Sequence, residues 1–348
     1  MTLILFLLIF GIVVVAHEFG HFIVAKMIGI HVVEFSVGMG PTLLSFDKGD
    51  TKYSLKLLPL GGACMFEGED GLNVQEDGES EGSFLKANVW ARIATVFAGP
   101  FFNFIIGVIV AMIFVSLAAI SLPVVGITEG GAAMEAGMEE NDRVVALNGE
   151  KIYLFEEMLL FNRINGGNPV TVQFERDGKL METKLTPKYD AASGSYMLGF
   201  YCNAAAEEQG IARMKYAWYE IRYCVQSTYK SLAMLVKGQV KSEEMSGPVG
   251  IAVNVVGKTY EATKEYGGMT VLINMLYIVL ILTINLGILN LLPIPALDGG
   301  RLVFMFIEVV RGKPVPPEKE GMVHFIGLIF FMILMVFVFF NDLKNIFG

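Results

Sequence analysis

Two histidines and a glutamate stand within five residues, His17-Glu18-Phe19-Gly20-His21, inside an apolar run from Met1 to Ala25. Ionisable groups at membrane depth are costly and usually mark function. On a helix, residues four apart lie about 40° apart around the axis. His17 and His21 therefore converge on one point, with Glu18 beside it. Neutral imidazoles suit zinc, and a catalytic zinc keeps one position open for water. Glu18 is placed to take a proton from that water and pass it to a leaving amine. This is the zinc-protease pattern, set in a segment that excludes bulk water. The alternative is a polar helix–helix contact, which would hold three costly groups in lipid.

Two histidines do not complete a zinc site. The simplest third ligand is a carboxylate at similar depth. Asp298 qualifies, in the stretch Asn290-Leu291-Leu292-Pro293-Ile294-Pro295-Ala296-Leu297-Asp298-Gly299-Gly300-Arg301. Pro293 and Pro295 break a helix and free backbone groups. Irregular backbone at membrane depth implies a cavity. Taken alone, Asp298-Gly299-Gly300 reads equally as a turn at the membrane edge.

The elements that must carry these residues follow from composition. The chain has 348 residues, 54% of them hydrophobic, and a mean hydropathy of +0.55. That is an integral membrane protein with room for one modest soluble domain. The net charge of −9 lacks a basic stripe, which excludes nucleic acid as a partner class. Four stretches are long and apolar enough to span: 3–25, 93–121, 268–292 and 322–341. The first reads as a retained helix, since it lacks a basic leader and a small-residue cleavage site before His17.

Residues 30–68 alternate in short runs punctuated by glycine and proline, which predicts short strands and turns. They form either a segment dipping into the membrane or a small surface sheet. Residues 67–82 are acidic and Gly-rich and read as a solvated loop; the second span follows an acidic connection over 69–92. Residues 122–190 predict a compact α+β domain. It has a strand at 124–128, a short helix after Gly131, a hairpin turning at Asn148-Gly149, a helix over 155–165, and two strands around Asp177-Gly178. In the connection 191–267, residues 207–245 predict a helix rich in Tyr and Trp, either interfacial or packed on the domain. Residues 268–300 carry the third span and its motifs, 301–321 a loop, and 322–348 the last span and tail. Cys64, Cys202 and Cys224 show no metal spacing; Cys202 and Cys224 read as free thiols or as a pair. Lys48, Lys52, Lys56 and Lys86 in one loop, and Arg301, Arg311, Lys313 and Lys319 in another, place those loops in the cytoplasm and the 122–190 domain outside.

The paired motifs resemble the site-2 protease family of intramembrane zinc metalloproteases, in its bacterial RseP type with a single PDZ domain. The resemblance runs over nearly the whole chain. It implies a polytopic α-helical membrane protein of four transmembrane helices, with a membrane-re-entrant β segment and an inserted α+β PDZ domain, in the bacterial cytoplasmic membrane. It implies one Zn2+, held by His17, His21 and Asp298, with Glu18 as catalytic base. It implicates Asn290 in substrate binding, against the alternative of capping the broken helix. Gly99-Pro100-Phe101-Phe102-Asn103 matches a motif of the second span, where Gly-Pro could simply kink the helix. Leu60-Gly61-Gly62 matches the β segment thought to receive unwound substrate, which puts Gly61 and Gly62 at a substrate edge. Ser246-Gly247-Pro248-Val249-Gly250-Ile251 matches a family segment whose chemistry the sequence does not give. Val125, Gly126 and Ile127 correspond to the domain edge that binds peptide ends, or serve packing alone. The substrates so implied are single-span proteins such as anti-sigma factors, and remnant signal peptides, cut after an upstream protease has acted on the outer side. The rival classes are a zinc transporter and a non-catalytic PDZ scaffold.

Overall fold

The computed structural model describes residues 1–68, 81–240 and 245–347. Most of the acidic stretch assigned to a solvated loop, residues 69–80, lies outside them. The chain divides into two compact units, Met1–Val110 with Thr228–Gly348, and Ala111–Ser227. Among the described residues, four helices are long and apolar enough to cross a membrane: Thr2–Ile28, Val89–Leu117, Gly268–Asn290 and Glu318–Phe347.

In the first unit, α1 (Thr2–Ile28) ends at Gly29, whose φ of 91° lets its amide cap the Ala25 carbonyl. The buried face of α1 carries Val13, Val14, His17, Gly20 and His21. Next come β1 (Val32–Lys48) and β2 (Thr51–Phe66), turning at Gly49. Where the sequence predicts several short strands, these are two long ones that bend. Phe35 pairs with both Cys64 and Tyr53, and Tyr53 also pairs with Phe46. Four segments therefore lie side by side, in the order 62–66, 32–37, 51–55, 44–48. The bends fall near Gly38, Gly40 and Gly61, each at a positive φ near 90°. Phe22 of α1 packs on Phe35 and Tyr53 and holds the sheet against the helix. The last element of this stretch is α2 (Val89–Leu117).

The second unit holds β3 (Val125–Ile127), α3 (Ala132–Glu135), β4 (Arg143–Leu147), β5 (Glu150–Lys151), α4 (Phe155–Asn165), β6 (Val170–Arg176), β7 (Lys179–Leu185), β8 (Lys188–Asp190), β9 (Ser195–Met197) and β10 (Phe200–Cys202). The main sheet runs β5-β4-β6-β7, with β10-β3 and β8-β9 as separate pairs. Both predicted hairpin turns have their two central residues at positive φ, 48° and 82° at Asn148-Gly149 and 50° and 74° at Asp177-Gly178. Val125, Leu147, Met158, Val172 and Phe174 form the core.

Two expectations are corrected here. The domain does not close at residue 190: Leu198 is buried in its core, and β10 pairs with β3. For the same reason Val125-Gly126-Ile127 is not an open edge. Tyr201 lies against Gly126 on one side, and on the other the Val125 amide and carbonyl bond Asp142 and Asn141. The open strand of this pair is β10, which was placed in the connection.

The helix α5 (Lys215–Val236) begins against this domain. Tyr219 stacks on Tyr153 at 4.4 Å, and Arg222 pairs with Glu157 while lying over the Tyr153 ring. For residues up to Ser227 the packed alternative therefore holds. Cys64, Cys202 and Cys224 form no disulfide.

The chain then returns to the first unit through α6 (Pro248–Gly250), a widened helical turn over Ile251–Gly257, and α7 (Lys258–Thr263). It continues in α8 (Gly268–Asn290), α9 (Asp298–Arg311) and α10 (Pro317–Phe347). The stretch from 301 is thus helical to Arg311, not a loop, because Leu302 and Met305 bury themselves against Ala25, Val32 and Val96. The segment at Ser246 also finds its reason. Asp342 of α10, buried, accepts the amides of Gly247 at 3.0 Å and Gly250 at 2.7 Å. A Cβ at Gly250 would lie 2.4 Å from that carboxylate, so glycine is what lets the helix start close over it.

Glu220 of α5 is buried, and one of its carboxylate oxygens lacks a partner. Burial, reinforced by Glu156 and Glu157, pushes its pKa from 4.5 up to about 8. Between those values the folded carboxyl keeps a proton that the unfolded chain releases, so this group's contribution to stability falls as pH rises. Glu220→Gln is expected to raise the unfolding temperature by about 2–4 °C at pH 8 and by less at pH 5, read by thermal unfolding in detergent.

Candidate active site

The site is assembled by α1, α2, β2 and the break between α8 and α9. On α1 the four-residue spacing turns both imidazoles to one side, with ring centroids 4.8 Å apart and planes at 88°. The third donor comes from the start of α9. The chain leaves α8 after Asn290, passes Pro293 and Pro295, and enters α9 at Asp298 through Ala296, whose φ is 71°. Gly299 and Gly300 are required by this fold-back. A Cβ on Gly299 would lie 2.1 Å from the Leu292 carbonyl oxygen, and one on Gly300 2.5 Å from that of Ile294. Asp-Gly-Gly is thus a helix start pressed against the loop before it. Arg92 of α2 pairs with Glu308 and ties α9 to the second span.

The three donor atoms form a nearly equilateral triangle. His17 Nε2 lies 3.3 Å from His21 Nε2 and 3.1 Å from Asp298 Oδ2, and His21 Nε2 lies 3.4 Å from that oxygen. Tetrahedral zinc with ligands at about 2.0–2.1 Å has donor–donor edges of about 3.3 Å. Both histidines are buried, and Asp298 Oδ2 is buried without a hydrogen-bond donor satisfying it. These residues fit a zinc ion. The tautomer of His21 fits as well: its Nδ1 donates to the Thr95 carbonyl at 2.9 Å, leaving Nε2 unprotonated.

Three further sequence-predicted residues meet at this point. Glu18 interacts electrostatically with His17, His21 and Asp298, and its carboxylate accepts the Cys64 amide of β2. Asn290 Nδ2 lies 3.3 Å from His17 Nε2. Gly62 lies against Glu18; a Cβ there would be 2.8 Å from the Glu18 Cγ. Gly61 is one residue removed and is covered by Met39. Val125, Gly126 and Ile127 belong to the second unit.

The Gly-Pro segment of α2 does more than kink the helix. A Cβ on Gly99 would lie 2.2 Å from His21 Nε2, and one on Gly20 2.4 Å from the Ala98 carbonyl oxygen. The two glycines let α1 and α2 approach closely enough for His21 to reach its place. Asn103, four residues beyond Gly99, is fully buried with its amide 3.2 Å from His17 Nδ1. The signal was its position one helical turn from Gly99, which puts both on the α2 face that meets α1.

The fold and site define a membrane-embedded zinc metallohydrolase. The sequence matches the profile of peptidase family M50 over residues 5–334. Zinc metalloprotease RasP of Geobacillus kaustophilus is 33% identical, over 99% of this chain and 98% of its own. Regulator of sigma-W protease RasP of Bacillus subtilis is 31% identical, over 99% of each. A putative zinc metalloprotease of Clostridium acetobutylicum is 30% identical, over 98% of this chain and 97% of its own. Among solved structures, the PDZ domain of an SdrC-like protein from Listeria monocytogenes aligns with 24% of this chain and 86% of its own. It does so at 10% identity and a TM-score of 0.21, too low to carry an argument. The chain belongs to peptidase family M50. It is a membrane metalloendopeptidase of the site-2 class with zinc as cofactor, which decides against the transporter and scaffold classes.

Gly99→Ala is expected to displace His21 and weaken zinc binding by roughly 10-fold or more while the helices stay folded. Competition with a chromophoric chelator, alongside thermal unfolding, reads this out.

Proposed function

We propose that His17, His21 and Asp298 hold the zinc, that Glu18 is the general base and acid, and that the scissile bond lies in the membrane-spanning part of a single-span protein. The observation that carries the reading is the donor triangle, with edges of 3.1–3.4 Å, beside a glutamate held by the edge of a sheet. The zinc, when bound, supplies Lewis acidity to the peptide carbonyl and the attacking water. Glu18 takes the water proton and returns it to the leaving amine. Its bond from the Cys64 amide orients the carboxylate without occupying both oxygens. The Asn290 amide lies beside His17 Nε2, where it can donate to the developing oxyanion.

Proteolysis needs extended backbone, and a helix offers none. Segment 62–66 is a sheet edge beside Glu18, and it can pair with an unwound substrate strand. The missing Cβ at Gly62 lets Glu18 lie against that edge, and Gly61 precedes it at the bend under Met39. The exposed Met39, Leu43, Leu44, Leu57 and Leu58 on the rest of the sheet suit a re-entrant position in lipid.

In this reading, the second unit is a PDZ domain outside the cell membrane. Peptide ends would add to its open strand, Phe200–Cys202, and not to Val125–Ile127. The loop charges support a cytoplasmic face for the active site, in the bacterial cytoplasmic membrane. The relative named for regulation of sigma-W supports an anti-sigma factor as substrate. Remnant signal peptides share the same single-span form. A domain that admits only trimmed ends implies a first cut on the outer side by another protease.

Glu18→Gln is expected to keep zinc at one per chain and to lose cleavage of a single-span substrate by roughly 100-fold or more. Mass spectrometry of spans co-purifying with that variant identifies the substrate. Cleavage at the wild-type rate would contradict the role of Glu18.

A further inference from the structure

We propose that Asn103 is a positioning residue that fixes the tautomer of His17, so that the Nε2 lone pair stays free for zinc. The inference rests on the reading of His17 as a ligand. A neutral imidazole carries one proton on one of its two nitrogens. Nε2 is the atom that meets His21 Nε2 and Asp298 Oδ2, at 3.3 and 3.1 Å. A proton on Nε2 would block it. The proton must then sit on Nδ1 and find an acceptor.

The group at Nδ1 is the Asn103 side-chain amide, 3.2 Å away and fully buried. With Nδ2 facing His17, the amide would donate to Nδ1 and force the proton onto Nε2. That orientation also leaves Asn103 Oδ1 buried without a partner. A half-turn of the amide, which exchanges two atoms of nearly equal size, gives Oδ1 the Nδ1–H as donor and releases Nε2. The donor triangle selects this orientation.

The surroundings leave few substitutes. Thr283 Oγ1 of α8 donates to the Asn103 carbonyl at 3.3 Å, and a Cβ on Gly287 would come within 3.3 Å of the Asn103 Cβ. The third span thus closes directly over this residue. His21 is served by the Thr95 carbonyl, a backbone acceptor on the same helix. Thr95 and Asn103 stand eight residues apart on α2, near one face. The second span therefore acts as the outer support of both imidazoles, by backbone for one and by side chain for the other.

The test is the zinc affinity of the full chain in detergent, measured by chelator competition on Asn103→Leu and Asn103→Asp. Leu removes the acceptor at similar volume; Asp keeps an oxygen at the same reach. The expected result is a roughly 10–100-fold loss for Leu with Asp close to wild type. Wild-type affinity in the Leu variant, or an equal loss in both, overturns the proposal, since a packing role would not distinguish acceptor from hydrocarbon. Should the Leu variant fail to fold by thermal unfolding, Asn103→Ala carries the same expectation. His17→Ala separates the two readings. If it binds zinc as wild type does, the assignment of His17 as ligand fails; if it loses zinc while Asn103→Leu does not, only the present proposal fails.

Discussion

Three charged or polar donors converging at membrane depth constrain everything packed around them. Two imidazoles and a carboxylate lie 3.1–3.4 Å apart, near contact, in a setting where unpaired polar atoms are expensive. A divalent cation resolves that crowding by giving each lone pair a partner. The site is therefore as much a structural requirement as a catalytic one. Helices that bring these atoms together must hold them there without water, which is why the outer contacts come from protein: the Thr95 carbonyl, the Asn103 amide and the Cys64 amide.

Close approach is achieved by removing side chains. Gly20 and Gly99 let α1 and α2 meet, Gly62 makes room for Glu18, and Gly299 and Gly300 let α9 start against the loop that precedes it. At each of these positions an added methyl would strike backbone or a reacting side chain at 2.8 Å or less from its nearest atom. The same economy recurs at Gly247 and Gly250, which close over Asp342. Small residues are a general means of bringing helices together in lipid, where hydrophobic burial gives little drive; here they also let His21, Glu18 and Asp298 reach their places.

Much of this could be read from the residues. The spacing of His17 and His21 states its geometry, because a helix leaves them no other relation. Asp298 could be proposed because an incomplete ligand set demands a partner, and the two prolines signal irregular backbone at the right depth. The turns at Asn148-Gly149 and Asp177-Gly178 were legible because both central residues must adopt positive φ. Long-range pairing was not. Nothing local in Phe200–Cys202 says that it pairs with Val125–Ile127, so the domain was ended too early and the open edge placed on the wrong strand. The bent sheet of β1 and β2 was read as short strands because glycine breaks alternation whether a strand ends or merely bends. Asn103 stands in a motif the sequence shows, but its part is not legible there, because Gly-Pro in a helix has a sufficient local explanation as a kink, whereas the use of Asn103 depends on what α1 presents to it.

In the proposed site, two imidazoles and one carboxylate form the zinc shell. X-ray absorption at the zinc edge of the full-length protein tests it most directly. Only nitrogen and oxygen neighbours at about 2.0–2.1 Å are expected, with the outer-shell scattering of two imidazole rings. Sulfur scattering at about 2.3 Å, or the scattering of fewer or more than two imidazoles, would contradict it.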